Sequence, residues 1–430
     1  MTTGTTALGG SLTLAGTATA TGVVGLNIGG DVVLGNGTTF TAGAFTHNVA
    51  GNWTNNGGTF TPGTGTINFT GNNASVNGTA ASQTFNNITI NKASGQALSF
   101  GGSTTTLNVG GTFTQTTGNF NAPATMTVTG IFTLDGGVYN AGANLNLSNN
   151  YVKNSTNFVA GSGTVSMLGA TTRTIGGTGE TTFNNLVINN SGGVLLANNQ
   201  TVNGTLTLTS GRFTIGAYNL TLGSSANFAG TVNVTNMIVA SGTGTVRKVF
   251  ASVGSITFPI GDNTAPDYEY SPFTVNVTSG SFAVGAMVAV NVTDARHPND
   301  NSPSNYITRY WTVSQTGITN LNASITGNFV GADIVGSTAN IISSRYISPL
   351  WVEQNVATAT TISASNLLAF GDFSGRNNLK IIDANPATLT GFSYPTGFGP
   401  SSEQSFTVSG SALATNITVL PSADYEISTG

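Results

Sequence analysis

The sequence predicts an all-β protein whose residues 1–246 form a parallel β-helix. Three observations support this: short strands of alternating apolar residues, a repeat of about 19 residues, and no helical periodicity. A unit this short cannot bury its apolar side alone, so successive copies must stack as turns of a solenoid. Because parallel crossover connections are right-handed, we expect a right-handed coil.

A long internal echo is the first sign of the repeat. Residues 84–91 (TFNNITIN) return 98 positions later as residues 182–189 (TFNNLVIN), and residues 63–69 (GTGTINF) return as 161–167 (GSGTVSM). With turns of 19 to 21 residues this spacing is about five turns. It therefore predicts both copies on one face, about 25 Å apart, with their paired asparagines at corners.

A finer repeat lies inside the echo. At steps of 19 residues the aromatic positions align as Phe113 with Phe132 and Phe120 with Tyr139. The step predicts about 11 or 12 turns before Val246, with inward apolar columns along the axis. An antiparallel sandwich or a propeller also has many short strands, but a propeller blade needs about 40 residues. The spacing favours the solenoid.

Composition limits the function classes. Charged residues are only 6% of the 430 residues, against about a quarter in an average protein. The net charge of -4 includes no basic stripe, which argues against nucleic-acid binding. No apolar run is long enough to span a membrane, and the absence of cysteine excludes disulfides.

Beyond the predicted solenoid, the composition and the strand pattern of the sequence change. Residues 247–380 gain proline and carboxylates and have strand-like runs at the spacing of a β-sandwich, whose core we expect Trp311 and Trp351 to anchor. Residues 381–430 are long enough for only half of a sandwich. A half-sandwich leaves an unpaired edge, so we expect either a fragment of a longer protein or strand completion by a neighbouring chain.

Two acidic segments are candidate calcium sites. One contains Asp262, Asp267 and Glu269, and the other contains Asp294 and Asp300. Calcium prefers carboxylate and carbonyl oxygens, which such loops supply. No other cofactor is expected.

Catalytic constellations are sparse in the solenoid. Its carboxylates Asp31, Asp135 and Glu180 fall several turns apart, whereas glycoside hydrolysis needs a close pair. His47 is expected to be an exposed turn residue, and together with His297 it forms no triad pattern. We therefore expect a non-enzyme.

Thr-x-Thr pairs raise the question of ice binding, which needs such pairs on one face of successive turns. Stepping from Thr112 by 19 residues gives Ile131 and then Asn150, so this column is broken. The threonines then reflect the strand preference of this residue.

Several phrases resemble large cell-surface and secreted proteins of the Bacteroidota: GTGTINF, TFNNITIN and VNGTLTLTSGRF. The residues FPIGD at 258–262, RYW at 309–311 and FGDF at 370–373 are similar to the β-sandwich that follows such solenoids. The ending from Gly391 is similar to the first half of an immunoglobulin-like module. The resemblance implies export by the type IX secretion system, with the signal peptide and sorting domain belonging to a longer parent protein.

The expected function is that of a non-enzymatic extracellular protein, a stiff surface stalk or filament segment of a larger cell-surface protein. Other copies of the chain, surface glycans or surface proteins are the expected partners. One alternative is a glycan-binding adhesin. A second alternative is a polysaccharide-active β-helix enzyme.

Overall fold

The computed structural model describes residues 5–264, 268–377, 381–411, 416–423 and 425–428. Within these ranges the protein is all-β, with two single-turn 3-10 helices, Gly331–Asp333 and Thr338–Asn340. None of the described helices is long and apolar enough to cross a membrane. Stacked parallel coils form a β-solenoid of about 13 turns, which confirms the predicted parallel solenoid. At the β spacing the stack is about 60 Å long.

Each solenoid turn places short strands on three faces, with strands numbered in chain order. Face one contains β1 Thr5–Leu8, β4 Gly25–Ile28, β7 Thr46–Val49, β10 Thr66–Gly71, β13 Asn87–Lys92, β16 Phe113–Thr117, β19 Phe132–Leu134, β22 Tyr151–Lys153, β25 Arg173–Gly176, β28 Val194–Leu196, β31 Phe213–Thr214, β34 Ile238–Val239 and β37 Ile260–Asp262. Face two contains β2 Leu12–Leu14, β5 Val32–Leu34, β8 Trp53–Asn55, β11 Ala74–Gly78, β14 Ala97–Phe100, β17 Asn119–Asn121, β20 Val138–Asn140, β23 Asn157–Val159, β26 Thr181–Phe183, β29 Gln200–Val202, β32 Leu220–Leu222 and β35 Val246–Val249. Face three contains β3 Thr19–Thr21, β6 Thr39–Thr41, β9 Thr59–Thr61, β12 Ser82–Phe85, β15 Thr106–Val109, β18 Thr125–Val128, β21 Asn144–Leu147, β24 Thr164–Gly169, β27 Asn185–Asn190, β30 Thr205–Ser210 and β33 Asn227–Ala229.

The 19-residue step is one turn of this coil. Phe113 pairs with Phe132 and Phe132 with Tyr151 on adjacent strands of face one. Their rings stack inside the coil with centroids 5.0 and 5.6 Å apart. On face two, Phe120 and Tyr139 pair in the same way. The predicted inward columns of apolar residues along the axis are thereby confirmed, and here they consist of aromatic rings.

The long echo is rotated by one face, so the prediction of two copies on a common face is wrong. The first copy crosses from β12 on face three to β13 on face one, with Asn86 at the corner. The second copy crosses from β26 on face two to β27 on face three, with Asn184 at the corner. The offset of 14 strands is four full turns and two further strands. Turn length varies, from 26 residues between Leu220 and Val246 to 19 between Thr106 and Thr125.

Glycine is required where corners stack closely. Gly118 and Gly137 occupy equivalent corners of successive turns, with φ of 73° and 78°. A Cβ on Gly137 would overlap the Gly118 carbonyl. Glycine satisfies both constraints, since it adopts positive φ freely and presents no side chain to the turn below.

His47 is buried, which corrects the expectation of an exposed turn residue. It lies in β7 with no exposed surface, and its Nε2 is 2.8 Å from the Ala42 carbonyl oxygen. Its ring packs edge-on against Phe40 at 5.7 Å. The reason is strand parity, because His47 and the core residue Val49 point to the same side of β7.

The remaining strands follow the last coils. They are β36 Gly254–Phe258, β38 Glu269–Tyr270, β39 Phe273–Thr293, β40 Tyr306–Ile307, β41 Tyr310–Asn328, β42 Ile334–Val335, β43 Ile341–Ile347, β44 Leu350–Val356, β45 Thr361–Leu367, β46 Asp372–Asn377, β47 Ile381–Asn385 and β48 Thr407–Ser411. Solenoid strand β35 pairs antiparallel with β39, so one sheet continues from face two into the next part of the chain.

The long strands β39 and β41 pair with each other along most of their length, with a register shift between Phe282 and Met287. The first half of β39 pairs with β36 and the second half with β35. Trp311 is buried in this region, as predicted. Trp351 is only partly buried, on the edge strand β44, and so does not anchor the core.

The last described segment forms a two-stranded hairpin of β47 and β48. Residues 416–419, which the sequence predicts as a strand, have no strand structure. Apolar side chains are exposed here, among them Phe398 at 78% and Leu420 at 82%.

Candidate functional site

Arg309, the residue before β41, lies at the centre of four carboxylates, and its side chain is fully buried. Nη1 donates to Asp262 Oδ2 at 2.6 Å, and Nε donates to Asp333 Oδ2 at 2.9 Å. Nη2 contacts Asp294 Oδ1 at 3.3 Å and also donates to Glu269. We call these five residues the Arg309 cluster.

Five chain segments contribute one residue each to the cluster. Asp262 ends β37, the last solenoid strand of face one, and Glu269 lies opposite it on β38. Asp294 directly follows β39, and Asp333 ends a 3-10 helix. Arg309 therefore connects the last solenoid turn to the sheet that follows it.

Negative charge exceeds positive charge in the cluster. Four carboxylates and one guanidinium would give 1 - 4 = -3 if all were ionised. Burial, reinforced by neighbouring carboxylates, raises the pKa of Glu269 and of Asp294. Burial opposes the charge on Arg309, but hydrogen bonds and the charges of Asp333 and Asp262 raise its pKa overall. The guanidinium thus stays charged, while Glu269 and Asp294 take up protons more readily than ordinary carboxyl groups do.

The structure brings three of the predicted calcium ligands together. Asp262, Glu269 and Asp294 each offer an oxygen, and these oxygens lie within 4.8 Å of one another. Their charge suits calcium, but the Arg309 guanidinium already contacts all three. Asp267 lies outside the described residues. Calcium binding here stays a prediction.

Asp300, the remaining candidate, lies in a different set of contacts. Its Oδ1 accepts from Ser302 Oγ at 2.6 Å and from Arg376 Nε at 3.0 Å, and its Oδ2 accepts from Arg296 Nε at 3.2 Å. Burial acts to raise its pKa, but the bonds from Ser302 and Arg376 outweigh this and lower it. Asp300 therefore holds a loop against β46 instead of joining the other candidates.

An aromatic group surrounds His297. Its ring centroid lies 4.8 to 4.9 Å from those of Tyr310, Tyr346 and Trp351, and Nε2 is 3.1 Å from Asp372 Oδ2. The Trp351 ring also has the Arg376 guanidinium 4.6 Å from its centroid. With contacts from Arg376 and from two other rings, Trp351 is a packed side chain, not an open platform for a sugar.

The solenoid carboxylates share one corner, between faces one and two, but form no pair. Asp135 and Glu180 lie two turns apart, and Asp31 is five turns from Asp135. Each accepts a hydrogen bond of 2.7 Å from a neighbouring turn: Asp31 from the main-chain N–H of Asn52, Asp135 from Asn154 Nδ2 and Glu180 from Asn199 Nδ2. These contacts fit a role in holding turns together.

Sequence reasoning missed Arg309 and Asp333 as members of the cluster. The RYW phrase at 309–311 indicates only a resemblance to a sandwich, and Asp333 lies in a loop without a motif. No family model, curated protein or solved structure matches the chain.

We expect the substitution Glu269→Gln to flatten the pH dependence of stability. A carboxyl whose pKa is raised by folding stabilises fully below its ordinary value, 4.5 for Glu269, and this contribution is lost as pH rises through the raised value. Wild type should lose stability relative to the variant over that window, by at most about 1.4 kcal/mol for every pH unit between the two values. Urea titrations from pH 4 to 8 measure the difference, with the exposed Glu353→Gln as control. Parallel curves for wild type and Glu269→Gln would contradict the expectation.

Proposed function

We propose that this chain is a non-enzymatic extracellular structural or adhesive protein, a stiff stalk or filament segment of a larger cell-surface protein. The observation that supports this most is the uninterrupted stack of about 13 parallel turns. Hydrogen bonds between turns run along the axis in such a stack, which makes the rod resist bending and proteolysis.

The junction with the following sheet supports the same proposal. Strand β35 joins β39 across what would otherwise be the open end of the solenoid, and the buried Arg309 cluster connects the same two parts. A segment that transmits force between a surface and a partner needs a junction of this kind. Export by the type IX secretion system is part of the proposal, on the resemblance of the sequence.

The finer fold assignments are also proposals. We propose that the two halves of β39 and β41, with their different partner strands, form the layers of a β-sandwich within 247–380. We propose that the β47–β48 hairpin belongs to an immunoglobulin-like module in 381–430, completed by strands from elsewhere. The exposed apolar side chains of this segment support completion.

Electron microscopy of the purified chain tests the structural role. We expect straight rods with a solenoid part about 60 Å long, joined end to end into fibres with a regular repeat if neighbouring chains complete the hairpin. Monodisperse single rods would exclude the filament and leave the stalk. Flexible or collapsed particles would contradict both.

The enzyme alternative has a separate test. Purified protein incubated with neutral and acidic polysaccharides should release no reducing ends and no unsaturated products. Release that is lost in Asp135→Asn or Glu180→Gln would overturn the non-enzymatic proposal.

A further inference from the structure

Face three of the solenoid presents an ordered array of hydroxyls and amides. Alternate residues of β15, β18, β21 and β24 point outward because the residues between them are buried. Thr125 pairs with Asn144, and Thr127 pairs with Asn146, without any shift of register. We call the following outward residues the Thr/Asn face: Thr106, Thr125, Thr127, Asn144, Asn146 and Ser166.

The threonine column followed in the sequence lies at a corner of the coil, which is why the sequence did not show this array. Thr112, the first residue of the broken threonine column, precedes β16 and lies at a corner, as do Ile131 and Asn150 before β19 and β22. The threonine pair of β18 lies on face three and has polar counterparts on both neighbouring strands. The broken column therefore describes a corner and not the face.

The side chains of the Thr/Asn face are free to bind a ligand. Within the part of the chain that the structure describes, none of the six makes a side-chain hydrogen bond to another protein group. Two other outward residues of the same strands do: Asn108 donates to Ser82, and Thr164 accepts from Asn185. Outward asparagines on face one behave differently. There Asn48 donates to Asn27 at 2.5 Å and Asn68 donates to Asn48 at 2.7 Å, so the amides form a ladder.

The absence of charged residues on face three limits the kind of ligand that it can bind. The strands of face three from β12 to β33 contain no charged residue. An acidic or basic polymer would lose hydration on this face without gaining a counter-charge. An uncharged ligand rich in hydroxyls can exchange its hydrogen bonds with water for bonds to threonine and asparagine.

We propose that the Thr/Asn face binds a linear, uncharged polysaccharide lying along the solenoid axis. This inference rests on the proposed adhesive function and names its ligand class. Outward polar residues of the Thr/Asn face recur on the four successive strands β15, β18, β21 and β24, about 4.8 Å apart, which is close to the length of one sugar unit in an extended chain. Each turn supplies a weak contact, and successive turns act together on one polymer.

Binding should therefore depend on oligosaccharide length. We expect affinity to rise with each added sugar up to about the number of polar turns and then to level off. Calorimetry with a size series of neutral β-glucan and chitin oligosaccharides measures this, and a charged alginate series serves as the comparison. Affinity independent of length, or tighter binding of the charged series, would overturn the proposal.

The substitution Thr127→Arg tests the location. An arginine at the centre of the face should weaken binding to insoluble neutral polysaccharide at least about tenfold. Thr133→Arg, at an outward position of β19 on face one, is the matched control and should bind as wild type does. Equal binding by the two variants, or no binding by wild type, would defeat the proposal. Circular dichroism and rod length in electron microscopy report independently on the stalk role.

Two other partners for the Thr/Asn face would give different experimental results. A second copy of the chain on this face would produce a dimer in sedimentation that Thr127→Arg dissociates, without polysaccharide binding. Ice as the partner would produce ice shaping that Thr127→Arg abolishes. Either result would replace the polysaccharide.

Discussion

Replacing Arg309 by methionine should cost about 3 to 5 kcal/mol of folding free energy. The substitution leaves Asp262 and Asp333, both almost fully buried, without their counter-charge. Buried carboxylates without a partner are strongly unfavourable, and methionine supplies no hydrogen-bond donor. Urea unfolding followed by the fluorescence of the buried Trp311 measures the loss.

The cause of that loss can be separated from a simple packing defect. Protonation relieves unpaired carboxylates, so the cost of Arg309→Met should shrink as the pH falls toward 4. Adding Asp262→Asn and Asp333→Asn should also recover part of the stability. Arg247→Met is the control, because Arg247 is only half-buried and contacts a hydroxyl. A loss below about 1 kcal/mol, or one independent of pH, would show that the guanidinium is not balancing charge.

Truncating Phe132 to alanine should cost about 3 to 5 kcal/mol. The ring is fully buried, stacked between Phe113 and Tyr151 in the inward column, and has Tyr139 edge-on at 5.3 Å. Its removal leaves a cavity that strands fixed by hydrogen bonds on both sides cannot close. Because each turn contacts only its neighbours, the damage should be local.

Limited proteolysis with mass spectrometry locates this effect. New cleavage should concentrate at the corners next to β16, β19 and β22, while distant turns remain protected. Thr133→Ala, the outward neighbour on the same strand, should leave the cleavage pattern unchanged. Uniform cleavage along the solenoid would instead indicate that it unfolds as one cooperative unit.

The turn repeat was predictable because stacking imposes a rule on the sequence. Phe113, Phe132 and Tyr151 all place a large ring in the interior, since each ring packs on the next. The rotation of the long echo was not predictable. It depends on corner loops whose lengths differ between turns, and loops of different length satisfy the same strand pairing.

The candidate site was predictable only in part, for a related reason. Asp262, Glu269 and Asp294 stand out in the sequence as acidic loop residues, but what unites them is the Arg309 side chain, and no local pattern links it to them. Asp333 joins from a fourth segment. Residues that only tertiary folding brings together show no periodicity in the sequence. The burial of His47, by contrast, was predictable, because His47 and the core residue Val49 lie two positions apart in β7 and so point to the same side.

The junction between the solenoid and the following sheet is held by more than the hydrogen bonds between turns. A pull along the axis loads the inter-turn hydrogen bonds of every coil, but the last coil is also held by the antiparallel pairing of β35 with β39 and by the buried Arg309 cluster. Coils far from this junction should therefore open before it does. The solenoid would then lengthen while its attachment to the sheet stays intact, which would let an adhesive contact absorb a pull without detaching.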